Sequence, residues 1–203
     1  MTLLPLLVIL ASTPPAGDVP RAGYFGAGIN LEPLSLGPAQ AFGGGGAAIG
    51  VSFQTALQVD VGPRWAFRLP LELGGGGSGN NTFAELGLTP GVLHRWRDDA
   101  DQEWVPYLGG GFKLGVAVAN RELLGLPLIT QALDIHLHHH HSGSSSDPNN
   151  EGRLGAFPEV WGGVEWHPSR WFALNLGGAY TYVRLAGTSV HLLHERVGLR
   201  FSL

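Results

Sequence analysis

The chain of 203 residues contains no cysteine, which excludes a disulfide framework, a thiolate metal site and a thiol enzyme. Its net charge of −4 provides no basic field to neutralise phosphates, so nucleic acid is excluded as a partner. Only 14% of residues are charged, against roughly 25% in ordinary soluble domains, while 44% are hydrophobic and 32 are glycine. That composition suits neither a water-facing surface nor a disordered chain.

At the N-terminus, Leu3 to Ala11 form an apolar run, broken by Pro5 and followed by the small and turn-forming stretch Ser12 to Gly17. The run is too short to span a bilayer as a helix and has the make-up of a secretory h-region. Residues 1–16 are therefore expected to be a signal peptide with a short leader, and residues 22–203 a single mature domain. No later segment approaches the ~18 consecutive apolar residues that a helical span requires.

From there the chain alternates with a period of two, the signature of strands. A first segment runs from Tyr24 to Leu31. In the second, Ile49, Val51, Phe53, Leu57, Val59 and Val61 share one face, opposite Ser52, Gln54, Gln58 and Asp60. The third sets Trp65, Phe67, Leu69, Leu71 and Leu73 against Arg68, Pro70 and Glu72, and the fourth sets Leu86, Leu88, Pro90 and Val92 against Glu85, Gly87 and Thr89. The fifth places Leu108, Phe112, Leu114, Val116 and Val118 opposite Tyr107, Gly109, Gly111, Lys113 and Gly115. Val160 and Val164 against Glu159 and Glu165 give a sixth, Phe172 to Tyr182 a seventh, and Arg196 to Leu203 an eighth.

The connections alternate between short ones (Gly62–Arg64, Arg97–Glu103, His167–Arg170) and longer ones (Glu32–Gly43, Gly74–Asn81, Asn120–Leu154, Leu185–Ser189). An up-and-down meander produces this pattern, with tight turns at one end and long loops at the other. Alternation alone does not say which face is inside, since a soluble lipocalin-like carrier alternates too. The polar face decides: it is mostly Gly, Ala and Ser with isolated charges, the filling of a narrow lumen. Its charges balance, with Arg68, Arg95, Lys113, Arg196 and Arg200 against Asp60, Glu72, Glu85, Glu159 and Glu165, as enclosed charges must. Trp65, Trp96, Trp104, Trp166 and Trp171 flank the short turns, which predicts an interfacial girdle.

These features predict an all-β fold, an eight-stranded antiparallel up-and-down transmembrane β-barrel. The chain resembles the small eight-stranded outer-membrane β-barrel proteins, the OmpA-like group, over residues 22–203. The last strand, Val197-Gly198-Leu199-Arg200-Phe201-Ser202-Leu203, is similar to that group's C-terminal assembly signal, with the aromatic at Phe201 and Leu203 at the end. The resemblance implies a bacterial outer-membrane location, with outer-membrane lipid and the outer-membrane assembly machinery as partners. It also implies a non-enzymatic structural or surface-interaction role, with the lumen plugged by side chains.

Few residues suggest chemistry. The glycine runs Gly43–Gly46 and Gly74–Gly77 lack the Gly-Lys-Ser/Thr continuation of a phosphate loop and are expected to be flexible loop tips. His136, His138, His139, His140 and His141 could ligate Zn²⁺, Ni²⁺ or Cu²⁺, but a contiguous histidine tract has no fixed geometry, so adventitious binding of divalent metal is the expectation. His140-x-Ser142 resembles the His-x-Ser site of outer-membrane lipid A deacylases, with Glu151 or Glu159 as the orienting acid. In that family His serves as base and Ser as nucleophile. Gly143 follows the Ser here, in a polar stretch with two further strands still to come, so this esterase and the lipocalin-like carrier stand as alternatives. No cofactor is implied.

Overall fold

The alternating segments form an antiparallel sheet that closes on itself. The computed structural model describes residues 29–98, 102–125, 150–169 and 172–202. Its strands are β1 (Ile29–Gly43), β2 (Gly46–Val61), β3 (Trp65–Ser78), β4 (Asn81–Leu88), β5 (Gly91–Arg95), β6 (Trp104–Asn120), β7 (Asn150–Trp166), β8 (Phe172–Leu185) and β9 (Thr188–Ser202). One helical turn, α1 (Arg121–Leu124), follows β6. Neighbouring strands pair antiparallel and β9 pairs with β1, so the ring has no open end. Both β4 and β5 lie between β3 and β6, and so share one of eight positions. The break between them falls at Thr89-Pro90, where proline has no N–H for the ladder. Two backbone bonds stitch the gap: Thr89 N–H donates to the Pro70 carbonyl (2.9 Å), and Phe112 N–H to the Pro90 carbonyl (3.4 Å).

The face assignment follows the alternation. Phe112 on β6 is 60% exposed, while the adjacent Lys113 is 2% exposed. The same contrast runs around the ring, with Ile49, Phe53, Leu57, Phe67, Leu73, Leu108 and Val160 exposed and Gln54, Gln58, Glu72, Glu85 and Glu159 buried. An apolar exterior of this extent cannot face water, and a closed ring that satisfies its own backbone is the strand solution to spanning lipid. The lipocalin-like carrier is thereby overturned, because its apolar face would line the interior. The fold is a transmembrane eight-stranded β-barrel.

Aromatic side chains mark both edges of the apolar belt. At the short-turn end, Trp104 stacks on Trp166 with ring centroids 5.7 Å apart, and His94 packs between Trp65 and Trp96. Trp171 lies outside the described residues. At the other end, Tyr180 and His191 share a 2.7 Å hydrogen bond and Tyr182 packs on the same imidazole. Ten residues separate Phe172 from Tyr182 on β8. At about 3.4 Å per residue and a strand tilt of about 40°, the two stand roughly 26 Å apart along the axis, the thickness of an outer-membrane apolar band.

The long-loop end differs from expectation. β1 runs through Glu32–Gly43 and β3 through Gly74–Ser78, so three of the four connections there are two-residue turns: Gly44-Gly45, Gly79-Asn80 and Ala186-Gly187. Ala186 (φ 46°) and Gly187 (φ 83°) are both left-handed, which matches the hairpin to the sheet twist. The glycines of β3 serve close approach instead of a turn, since a Cβ on Gly76 would lie 2.2 Å from the Gly50 Cα. Only the β6–β7 connection remains long.

Because the exterior faces lipid, an arginine there should cost most near mid-belt. Leu108→Arg is expected to lose on the order of 2–4 kcal/mol of folding stability in bilayers, and Ile49→Arg, beyond the upper girdle, about 1 kcal/mol or less. Urea titration of folding into vesicles checks this, and equal losses at the two positions would contradict the orientation.

Candidate functional site

All ten charges assigned to the polar face lie on the inner face, nine of them buried and Asp60 half-buried. Nine of them, all but Arg68, form two layers. In the upper one, β6 brings the Lys113 ammonium to three carboxylates: Glu85 at 2.7 Å, Glu72 at 3.0 Å and Glu159 at 3.2 Å. Arg196 on β9 adds bonds to Glu72 (2.7 Å) and Glu159 (3.4 Å), and the Thr181 hydroxyl donates to Glu159 at 2.8 Å. In the lower layer, Arg95 contacts Glu165 at 3.0 Å and Asp60 at 2.8 Å, Arg200 also donates to Glu165, and His167 Nε2 lies 3.1 Å from Glu165. At this mouth, burial first, and then the charges of Arg95 and Arg200, push Arg97 down from its ordinary value.

An aromatic layer separates the two. Trp161 lies between Glu159 and Glu165 on β7, and packs with Leu93, Tyr107, Ala66 and Ala179. The wall is cut to fit these rings: a Cβ on Gly91 or Gly109 would lie 2.4 or 2.3 Å from the Trp161 indole, and one on Gly177 2.4 Å from the Tyr107 hydroxyl. That hydroxyl donates to Asn175 Oδ1 at 2.7 Å.

Above the upper charge layer the interior turns apolar. Phe83, Phe157, Val183, Leu185, Val190 and Leu192 form a collar that receives Leu123 and Leu124 of α1. Asn120 caps this turn, accepting from Leu123 N–H at 3.1 Å, and Gly125 (φ 70°) ends it. The Gly44-Gly45 turn is docked and not a free tip, because Gly45 N–H donates to the Leu123 carbonyl at 3.0 Å. Asn120 and Gly125 were the available start and stop signals, but the four residues between them carry no helical periodicity.

Sequence reasoning also missed His194. Its Nδ1 lies 3.1 Å from Glu72 and its Nε2 3.1 Å from Glu85, all three fully enclosed. The available signal was parity, since His194 shares its face of β9 with Arg196 and Arg200. Glu72, Glu85 and His194 offer ligand atoms within 4.8 Å of one another, but Lys113 Nζ already sits against both carboxylates and supplies the cation there.

The five histidines His136, His138, His139, His140 and His141, and with them Ser142, lie outside the described residues. The two acids of the esterase alternative are committed elsewhere: Glu151 pairs with Arg121 at 3.0 Å, and Glu159 belongs to the Lys113 layer. Among the described residues, the inner face is a set of matched charges and packed rings without an unengaged nucleophile–base pair.

No family model matches the chain, and no curated protein matches its sequence. Solved structures do. The chain is similar to Neisserial surface protein A, at 16% identity with a TM-score of 0.63, over 85% of this chain and 96% of that one. It is similar also to OprG, an outer membrane protein from Pseudomonas aeruginosa, at 10% identity with a TM-score of 0.50, over 87% and 96% of the two chains. The chain thus has the fold of the small outer-membrane β-barrel proteins.

Removing the ammonium of Lys113 leaves three carboxylates facing one another in a water-poor interior. Lys113→Met is expected to cost about 3–5 kcal/mol, whereas Arg64→Met, which breaks an exposed 3.3 Å contact with Asp98, should cost about 1 kcal/mol or less. Comparable urea midpoints for the two variants would refute the charge-layer account.

Proposed function

We propose that this chain is a non-enzymatic protein of the bacterial outer membrane, whose barrel is a sealed scaffold that anchors a structural or surface-interaction role. The observation that carries the reading is the filled interior: two charge layers, an aromatic layer between them, and a collar closed by Leu123 and Leu124. Eight strands leave a lumen only wide enough for side chains. Such an interior serves stability and leaves interaction to the surface. The belt and its two girdles support residence in a membrane, and residues 1–16 are the proposed export signal. The Trp104 end then faces the periplasm and the end with the long β6–β7 connection faces outward, the arrangement usual for such barrels.

Planar-bilayer recording tests the seal. The folded protein should show no sustained conductance, and steady ohmic channels from the wild type would overturn the reading. Boiled and unboiled membrane extracts should migrate differently on SDS gels, as a folded barrel resists detergent until heated.

Metal uptake by the histidine tract is proposed to be adventitious, because neutral imidazole is the ligand and no ordered second shell is evident in the flanking Ser142–Asn150 sequence. Calorimetry with Zn²⁺ should show weak binding that fades below about pH 6.5. Deleting His136 to His141 should abolish that binding and leave the urea midpoint unchanged. A deletion variant that still binds Zn²⁺, or that fails to fold, would contradict this.

A further inference from the structure

The wall has a seam between β7 and β8. β7 is paired with β6 along its whole length, from Trp104↔Trp166 to Asn120↔Asn150. Its other edge pairs with β8 only from Trp166↔Leu174 up to Glu159↔Thr181. Above that level, residues 150–158 of β7 and Tyr182–Leu185 of β8 are extended strand with no ladder between them, although β8 remains paired with β9 as far as Leu185↔Thr188. Pro158, which has no N–H to give, stands at the first unpaired position. The nearest atoms to a Cβ on Gly155 belong to Phe157 and Arg153 of its own strand, whereas one on Gly163, in the paired stretch, would lie 2.3 Å from the Leu176 carbonyl of β8. The seam begins at the Tyr182 girdle and rises above it, so water and extracellular polypeptide reach it, whereas lipid tails do not.

An extended edge of this kind is a template for another strand, because its N–H and C=O groups are already set at ladder spacing. The charges beside it select the strand. Arg153 on β7 and Arg184 on β8 are both exposed, and the Arg153 guanidinium donates across the seam to the Arg184 carbonyl at 3.0 Å. The nearest carboxylate on β7, Glu151, is paired with Arg121. Among the described residues, the two cations flank the seam without an anion in contact.

We propose that this seam is a strand-addition site for an extended, acidic segment of another polypeptide. The incoming backbone pairs with residues 150–158, and its carboxylates take the guanidiniums of Arg153 and Arg184, releasing the carbonyl that Arg153 holds. The inference gives the surface-interaction role a location and rests on that reading only for which end faces outward. Binding measured on the detergent-folded barrel does not depend on that orientation.

The test uses the full folded chain and two blocked octapeptides that carry charge on both strand faces, one built of Glu-Glu and Thr-Val pairs and the other of Lys-Lys and Thr-Val pairs, because Arg153 shares the inward face of β7 with Glu159 while Arg184 shares the outward face of β8 with Tyr182. The glutamate peptide should bind saturably, slow amide hydrogen exchange within residues 150–158, and bind about tenfold or more tighter than the lysine peptide. Arg153→Glu combined with Arg184→Glu should reverse that preference without moving the urea midpoint, and N-methylation of alternate peptide amides should abolish binding. Equal affinity for the two peptides would overturn the proposal. So would protection of residues 150–158 that is already complete without peptide, which would mean that another part of this chain or lipid covers the edge.

Discussion

Everything else in this barrel depends on the width of its lumen. Eight strands enclose a space in which inward side chains from opposite walls meet, so whatever points inward must fit and, if charged, must be matched there. Lys113 illustrates the consequence. Its ammonium lies within 3.2 Å of carboxylates from β3, β4 and β7, so one residue of β6 ties both of its neighbouring staves and the one beyond together on the inner side. A wider barrel would leave these groups to water, where such pairs contribute little. The glycines follow from the same constraint. Gly91 and Gly109 are bare because Trp161 lies across them, and Gly87 because the Lys113 stem does.

The parts of this design that repeat with period two were legible in the sequence. The five cations and five anions of the inner face, the exterior apolar rows and the lower tryptophan girdle all follow from parity, which a strand enforces residue by residue. Properties that arise from approach between strands were not legible. Gly74–Gly77 read as a loop because glycine is both a turn former and the residue that permits backbone contact, and only the register with Gly50 separates the two. The fold-back of Leu123 and Leu124 is equally opaque. A four-residue helix has no periodicity to detect, and its apolar pair finds its place only once the collar exists. His194 carried the right parity, but a histidine on a strand does not announce that two carboxylates from other strands will face it.

The vertical order of the interior also has a physical logic. The charge layers sit within the height of the lipid belt, where the surrounding hydrocarbon keeps the dielectric low and mismatched charge would be most costly. The apolar collar and α1 sit at the upper end, where water would otherwise enter the lumen and weaken the pairs below. Burial of Leu123 and Leu124 there does two things at once. It removes apolar surface from water, and it shields the Glu72, Glu85 and Lys113 cluster beneath.

This separation of duties explains how a chain at 16% identity keeps the fold of Neisserial surface protein A over 85% of its length. Lipid accepts any apolar side chain on the exterior, so those rows can change residue by residue without changing the fold. The interior requires that volumes fill and charges match, but a cation and its carboxylates can be redistributed among staves as long as the sum is kept. Sequences can therefore differ widely while the closed fold is kept. The same argument limits what the fold says about role. An interior filled with matched charges and packed rings holds the wall together, and above the upper girdle the strands no longer answer to lipid. In this chain that region holds the β6–β7 connection and the divergence of β7 from β8, the longest interval without a ladder between neighbouring strands among the described residues.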